Sequence, residues 1–202
     1  CGWGGFAERA ADDGRQVTGV TISPSQKGYA DARLDGRAEI RLQDYRATQG
    51  QFDAIVSIEM IEAVGEAYWP TYFNTLRDRL KPGGRAMLQA ITVPDAYFPT
   101  YRKSSDFIRH YTFPGGMLLS DGVIADQARR AGLVVRDSFA FGADYAATLR
   151  IWGDRMAAQH ARIRQIGYGE AFLRSWRYYL AACAASFAEG HTDVVQVELA
   201  HA

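Results

Sequence analysis

Cysteine is scarce in this chain: Cys1 and Cys183 are the only two. Thiols so far apart give neither a disulfide framework nor metal-ligand spacing, and a reducing compartment is the simpler reading. Charge of neither sign is in excess, with Lys plus Arg and Asp plus Glu at 23 each. Bulk nucleic acid, which selects a basic surface, is therefore not an expected partner. Long apolar runs are missing too, and nothing reaches the roughly 18 uninterrupted apolar residues of a spanning helix. The four histidines, His110, His160, His191 and His201, form no metal set by spacing, so no metal is expected. No internal repeat, low-complexity segment or secretory signal is visible. The chain opens on Cys rather than Met and reads as a piece lacking its natural beginning.

What is present is ordinary globular material, 48% hydrophobic and 23% charged over 202 residues, enough for a single domain. VTGVTI (17–22) and AEIRL (38–42) read as short strands. FDAIVSI (52–58) is nearly continuous in apolar residues, as for a strand buried on both faces of a parallel sheet. Trp69, Tyr72, Phe73, Leu76 and Leu80 share one helical face, KPGG ends that helix, and RAMLQAITV (85–93) returns as a strand. A further helix near 121–131 precedes LVVRDSFAF (133–141), and DVVQVELA (193–200) reads as a last strand. Alternation of this kind predicts an α/β fold, a doubly wound and mostly parallel sheet. An aromatic-rich insertion over 94–118 and a mostly helical last third (143–190) complete the chain. Within the latter, Phe172, Leu173, Trp176, Tyr179, Leu180, Cys183 and Phe187 repeat at helical spacing, a stripe that reads as core.

The cluster Gly2, Gly4 and Gly5 has the density of a turn that brings a ligand against backbone N–H groups at a helix start. Such a turn ordinarily follows a strand, and none precedes it here. The next strand ends in Thr21 and Ser23, with Gln26 one turn on, where a dinucleotide site wants Asp or Glu. A standard NAD site is thereby disfavoured.

Taken together, CGWGGFA, GVTIS-x-x-Q, LQDYR, FDAIVSIEMIEAVG, YWPTYF, LKPGG, FPGG and FGADYAATL resemble the cyclopropane-fatty-acyl-phospholipid synthase family and its mycolic acid relatives. The likeness runs through essentially the whole chain and implies a Rossmann-like class I methyltransferase that uses S-adenosylmethionine. It also implies that a helical region and the first strand precede the glycine turn. Without that strand, poor folding and weak cofactor binding are expected of the isolated 202 residues.

By the same resemblance, Gly2 and Gly4 line the methionine end of the cofactor, and Thr21, Ile22 and Gln26 meet its ribose. Asp44 and Tyr45 lie beside the adenine, and Ser57 and Ile58 pass it at a strand end. The family binds bicarbonate as a base; Glu62 matches its carboxylate partner and Tyr145 the tyrosine whose hydroxyl meets it. Gln89 stands where well-known members carry histidine, and Ile91 completes the implied catalytic set. Glu59 lies three residues from Glu62, so on a helix both carboxylates could face one way. An amide can donate a hydrogen bond but cannot carry a proton as imidazole does, so Gln89 leaves the product open.

The chemistry implied is methylation of a cis double bond in a phospholipid acyl chain, with proton loss closing a cyclopropane ring. It calls for a dry channel with aromatic walls, and Tyr97, Phe98, Tyr101, Phe107, Tyr111 and Phe113 are at hand. Two alternatives stay open: a methyl- or methylene-branched product, or methyl transfer to nitrogen or oxygen of a small molecule. The expected setting is cytoplasmic, peripheral to the inner face of the membrane, with a homodimer possible. Arg102, Lys103 and Arg109 are candidates for membrane contact, with solvated surface charge as the competing reading.

Overall fold

The computed structural model describes all 202 residues. Its elements run α1 (Gly5–Asp12), β1 (Thr18–Thr21), α2 (Pro24–Leu34), β2 (Glu39–Leu42), β3 (Phe52–Ile58), α3 (Trp69–Arg79) and β4 (Leu80–Thr92). There follow α4 (Phe98–Tyr101), α5 (Asp121–Arg130), β5 (Leu133–Ala140), α6 (Gly142–Ala158), α7 (His160–Gln165), α8 (Glu170–Ala188) and β6 (Asp193–His201).

Local chemistry sets the helix starts. Ser23 and Ser120 cap α2 and α5, their hydroxyls accepting from the N–H groups of Gln26 and Val123. Pro24 and Pro70 sit in first turns, where a missing N–H costs nothing. The α2 helix is not evident in the sequence pattern, because only Ala30 and Leu34 of its residues are buried.

The strands form two hydrogen-bonded sheets. β1 and β2 pair in parallel, and a four-stranded sheet has the order β3-β4-β6-β5. β3 is parallel to β4, whereas β6 runs antiparallel between β4 and β5, so the second sheet is mixed. The KPGG segment that reads as a stop belongs to β4, which begins at Leu80.

The main core lies between α3, α5 and the four-stranded sheet, with Trp69, Tyr72, Phe73, Leu88, Leu119 and Leu133 among its residues. Each large side chain there contributes about 1.5–3 kcal/mol by leaving water. On the other face, α6 and α8 pack together over Ile91 and Val194 through Ala146, Leu149, Leu180, Ala184 and Phe187. That second layer does not extend to β3. Ile55 therefore packs on the main core, while Val56 and Ile58 on the opposite face remain 39% and 45% exposed. The expectation that this strand is buried on both faces is thus corrected. Within these 202 residues β4 is its one strand neighbour, and the α6–α8 cluster does not reach its second face.

Candidate active site

Many of the predicted positions lie at or just after the carboxyl ends of parallel strands, where open α/β sheets place their ligands. Thr21 and Ile22 are at the end of β1, Asp44 and Tyr45 after β2, Ser57 and Ile58 on β3, and Gln89 and Ile91 near the end of β4. Gly2 and Gly4 precede α1 with φ of +53° and +83°. A Cβ at Gly4 would stand 3.1 Å from the Ala30 Cβ, so glycine lets the turn press against α2. Thr21 donates its hydroxyl to Gln26 Oε1 at 2.8 Å and accepts from the Ser23 N–H. Asp44 folds back on its own neighbour: its carboxylate accepts from the Arg46 backbone and guanidinium, which hold it below the usual carboxylate range. Tyr45 packs edge-on against Tyr72, whose hydroxyl donates to Ser57 Oγ at 2.7 Å.

These residues present polar groups and apolar surface side by side. Gln26 retains its amide N–H groups for a ligand, and Ile22 turns 77% of its surface outward. Nothing stands within 4 Å of the place a Gly2 Cβ would take.

The second group is built around carboxylates. Glu59, directly after β3, adopts φ +49°, a left-handed conformation that non-glycine residues rarely take. Its N–H donates to the Gln89 carbonyl at 2.9 Å, which fixes the turn on β4. The side chain then receives the Gln89 amide at 2.9 Å and the Tyr145 hydroxyl at 2.9 and 3.0 Å. Gln89 is itself aligned by Gln196, its partner across the β4–β6 ladder, whose amide donates to Gln89 Oε1 at 2.9 Å.

Tyr145 sits one turn into α6, and the start of that helix is pinned. Asp193 accepts from the Gly142 N–H at 2.7 Å, and any Cβ on Gly142 would lie 2.6 Å from that carboxylate oxygen. Burial, with the Glu59 charge second, raises the Tyr145 phenol well above its usual range, so it remains a donor.

Glu62 is held differently. It lies in a 3₁₀ turn, Ile61–Ala63, rather than on the helix that would align it with Glu59. Its Oε1 accepts from the Ile91 N–H at 2.7 Å, and its buried Oε2 has no partner. Burial pushes its pKa up to about 7; the Ile91 N–H opposes that rise and the Glu59 charge adds to it. The partners of Glu59 and Glu62 are all neutral, so the pair forms an anionic centre without a fixed counter-charge.

The structure brings together Glu62, Tyr145, Gln89 and Ile91, and adds Glu59 and Gln196. The Gln196 contribution could not be read from sequence, since it depends on β6 lying beside β4. Aromatic walls come mainly from α6 and α8: Tyr145 meets Phe187 at 5.1 Å and Trp152 at 6.2 Å between ring centroids. Of the insertion aromatics, Phe98 and Tyr101 belong to the main core, whereas Phe107 and Phe113 reach Tyr178 and Tyr179 on α8. Arg109 is structural, donating to the carbonyls of Tyr101, Ser104 and Gly116, and Arg102 pairs with Glu66. A polar pocket of about 140 Å³ lined by Thr92, Asp95, Asp121 and Asp193 shares no residue with this centre.

Known proteins resemble this chain along its length. Tuberculostearic acid methyltransferase UfaA1 of Mycobacterium tuberculosis is 40% identical over 96% of this chain and 47% of its own length. Cyclopropane-fatty-acyl-phospholipid synthase of Escherichia coli is 40% identical over 98% of this chain and 50% of its own. The chain thus spans about half the length of these relatives. Mycolic acid cyclopropane synthase CmaA1, solved with SAH and CTAB, superposes with a TM-score of 0.90 at 25% identity, over 98% of this chain and 75% of that one. The fold is accordingly that of the class I methyltransferases. With the mycolic acid cyclopropane synthetase family matched over residues 1–197, the chain belongs to that family.

Proposed function

We propose that this protein is an S-adenosylmethionine-dependent C-methyltransferase acting on cis double bonds in phospholipid acyl chains. The product is a cyclopropane or a methyl- or methylene-branched chain, and the two relatives quoted above bear names of both kinds. The observation that carries the reading is the Glu59–Gln89–Tyr145 cluster, a carboxylate centre walled by aromatic rings. Nitrogen or oxygen methylation would have no use for such a centre, because it builds no carbocation.

Gly2, Gly4, Thr21, Ile22, Gln26, Asp44, Tyr45, Ser57 and Ile58 are the residues that would hold S-adenosylmethionine. When bound, it supplies an electrophilic methyl group. The Glu59 carboxylate, joined by Glu62 as pH rises past about 7, offers negative charge where the methylated chain becomes cationic, in a site whose low dielectric strengthens that field. The faces of Tyr145 and Phe187 add stabilisation without a reactive lone pair. The helices that carry them exclude the water that would otherwise capture the cation.

Bicarbonate is the ion the family resemblance assigns to this centre, and the residues present do not fit it. The Gln89 and Tyr145 donors both end on Glu59, and the Ile91 N–H ends on Glu62. No step here runs through that ion.

The 202 residues act as one methyltransferase domain, with segment 94–118 and helices over 143–190 on the lipid side. No helix is long and apolar enough to cross a membrane. On this reading acyl chains are reached by peripheral contact at the cytoplasmic face, because that is where unsaturated phospholipid chains are offered. The test is expression of the intact protein in a host rich in monounsaturated phospholipids. New fatty acids one CH2 heavier, assigned by fragmentation or NMR as ring or methylene branch, or two mass units heavier still where a separate reduction has given a methyl branch, are expected; an unchanged profile overturns the reading.

A further inference from the structure

We propose that Glu59 is the built-in proton acceptor of the reaction, its carboxylate standing where the family resemblance puts a diffusible anion. The inference rests on the methyl-transfer reading above and deepens it. Three hydrogen bonds from Gln89 and Tyr145 converge on the two Glu59 oxygens at 2.9–3.0 Å. Those are the two side-chain donors an anionic base would need, and a carboxylate of the chain already occupies both.

The backbone gives an independent sign. Glu59 and Asp35 are the only non-glycine residues with positive φ, and Asp35 merely ends a surface helix. A glycine at 59 would relieve the left-handed turn, yet the chain carries glutamate there and aims it inward. Strain that persists at a functional centre is a recognised mark of a residue kept for its side chain. The neighbouring groups agree. Gln89 cannot carry a proton onward, and Tyr145 is a donor, so the acceptor must hold the proton itself. Besides Glu59, the titratable carboxylate at the centre is Glu62, whose Oε1 accepts from the Ile91 N–H and whose buried Oε2, unlike the Glu59 oxygens, meets neither Gln89 nor Tyr145. A bicarbonate added here would be a further negative charge against both.

The step balances without a co-reactant. After methyl transfer, a C–H bond of the new methyl group breaks and its proton forms an O–H bond on Glu59. The freed electron pair closes a C–C bond to the cationic carbon, giving a cyclopropane. If a hydride has first moved from the methyl-bearing carbon, the same pair forms a C=C bond and leaves a methylene branch. One base in one place serves both outcomes, and water takes the proton after product departs.

The experiment compares the intact wild-type protein with Glu59→Gln and Glu59→Gly, each in buffer freed of carbon dioxide and in buffer with bicarbonate added. Wild-type turnover on unsaturated phospholipid vesicles is expected to be indifferent to bicarbonate. Glu59→Gln should lose about 10²–10⁴-fold, the usual range for a general base. Glu59→Gly should lose as much but recover in part with bicarbonate, since it opens the seat and keeps Gln89 and Tyr145. Its melting temperature should not fall, because glycine suits φ +49°.

Carbon-13 NMR of labelled bicarbonate supplies a readout independent of turnover, with saturable binding expected in Glu59→Gly and none in wild type. Bicarbonate-dependent wild-type turnover, bicarbonate binding to wild type, or a Glu59→Gln variant active within a few-fold would each overturn the proposal. If wild type yields no methylated chain, the methyl-transfer reading fails instead, and the NMR result still decides whether Glu59 fills the anion's seat.

Discussion

The two sheets of this molecule carry the two groups of proposed site residues, and they are stabilised in different ways. The β1–β2 sheet, with α1 and α2, supplies most of the nucleoside positions on a buried cluster of four residues, Ala7, Ala30, Leu34 and Ile40. The four-stranded sheet supplies the carboxylates on a cluster of 20. Ion pairs lace the outside of the smaller half, Glu8 with Arg33 and Asp12 with Arg37. Exposed pairs of this kind contribute between nothing and about 1 kcal/mol each. Within these 202 residues, which span about half the length of the relatives, the carboxylates stand on the larger buried cluster and most of the proposed nucleoside positions on the smaller.

Removing a core side chain from each half tests that contrast most directly. Phe73→Ala should cost about 3–5 kcal/mol and Leu34→Ala about 2–5 kcal/mol. The first should lower the melting temperature of the whole molecule. The second should speed hydrogen exchange mainly in residues 1–42, read by mass spectrometry. Equal spread of exchange in the two variants would erase the distinction between the halves.

The next effect belongs to Glu62. Its folded pKa of about 7 lies above the ordinary 4.5, so the folded state holds this proton more tightly than the unfolded chain does. Stability from this group is greatest below pH 4.5 and falls as pH rises towards 7, by about 3 kcal/mol in all. Glu62→Gln should flatten that slope. Urea midpoints at pH 5 and pH 8 check it, and a slope unchanged in the variant would remove Glu62 as its source.

Tyr145→Phe sharpens the comparison from the functional side. It deletes the hydroxyl that bonds Glu59, a charge-assisted contact of about 1.5–3 kcal/mol. We expect kcat to fall about 10–10²-fold, while affinity for S-adenosylhomocysteine, measured by calorimetry, stays unchanged. Weakened binding would show that the two halves are coupled. The smallest effect is that of Arg33→Ala, at most about 1 kcal/mol and lessened by salt; a larger loss would mean that the outer ion pairs organise the nucleoside half.

Much of this architecture is legible in the residues. The run 52–58 is β3 to the residue, and α3 follows its apolar stripe, because both patterns report burial against one continuous core. The α2 helix escapes because its buried face is only Ala30 and Leu34, too narrow to leave a period. Exposure of Val56 and Ile58 escapes for another reason: composition cannot tell which neighbours a strand lacks. In the site, the resemblance picks out Glu62, Tyr145, Gln89 and Ile91, and the structure groups them. Glu59 is visible only as a carboxylate three residues away, because its placement depends on a left-handed backbone that helical spacing cannot foretell.

The antiparallel position of β6 carries a consequence for how the protein becomes active. Gln196 steadies Gln89 from 107 positions further along the chain, and Asp193 anchors the helix that presents Tyr145. Both supports are long-range in sequence, so neither Gln89 nor the start of α6 has its partner until residues 193–201 have paired between β4 and β5.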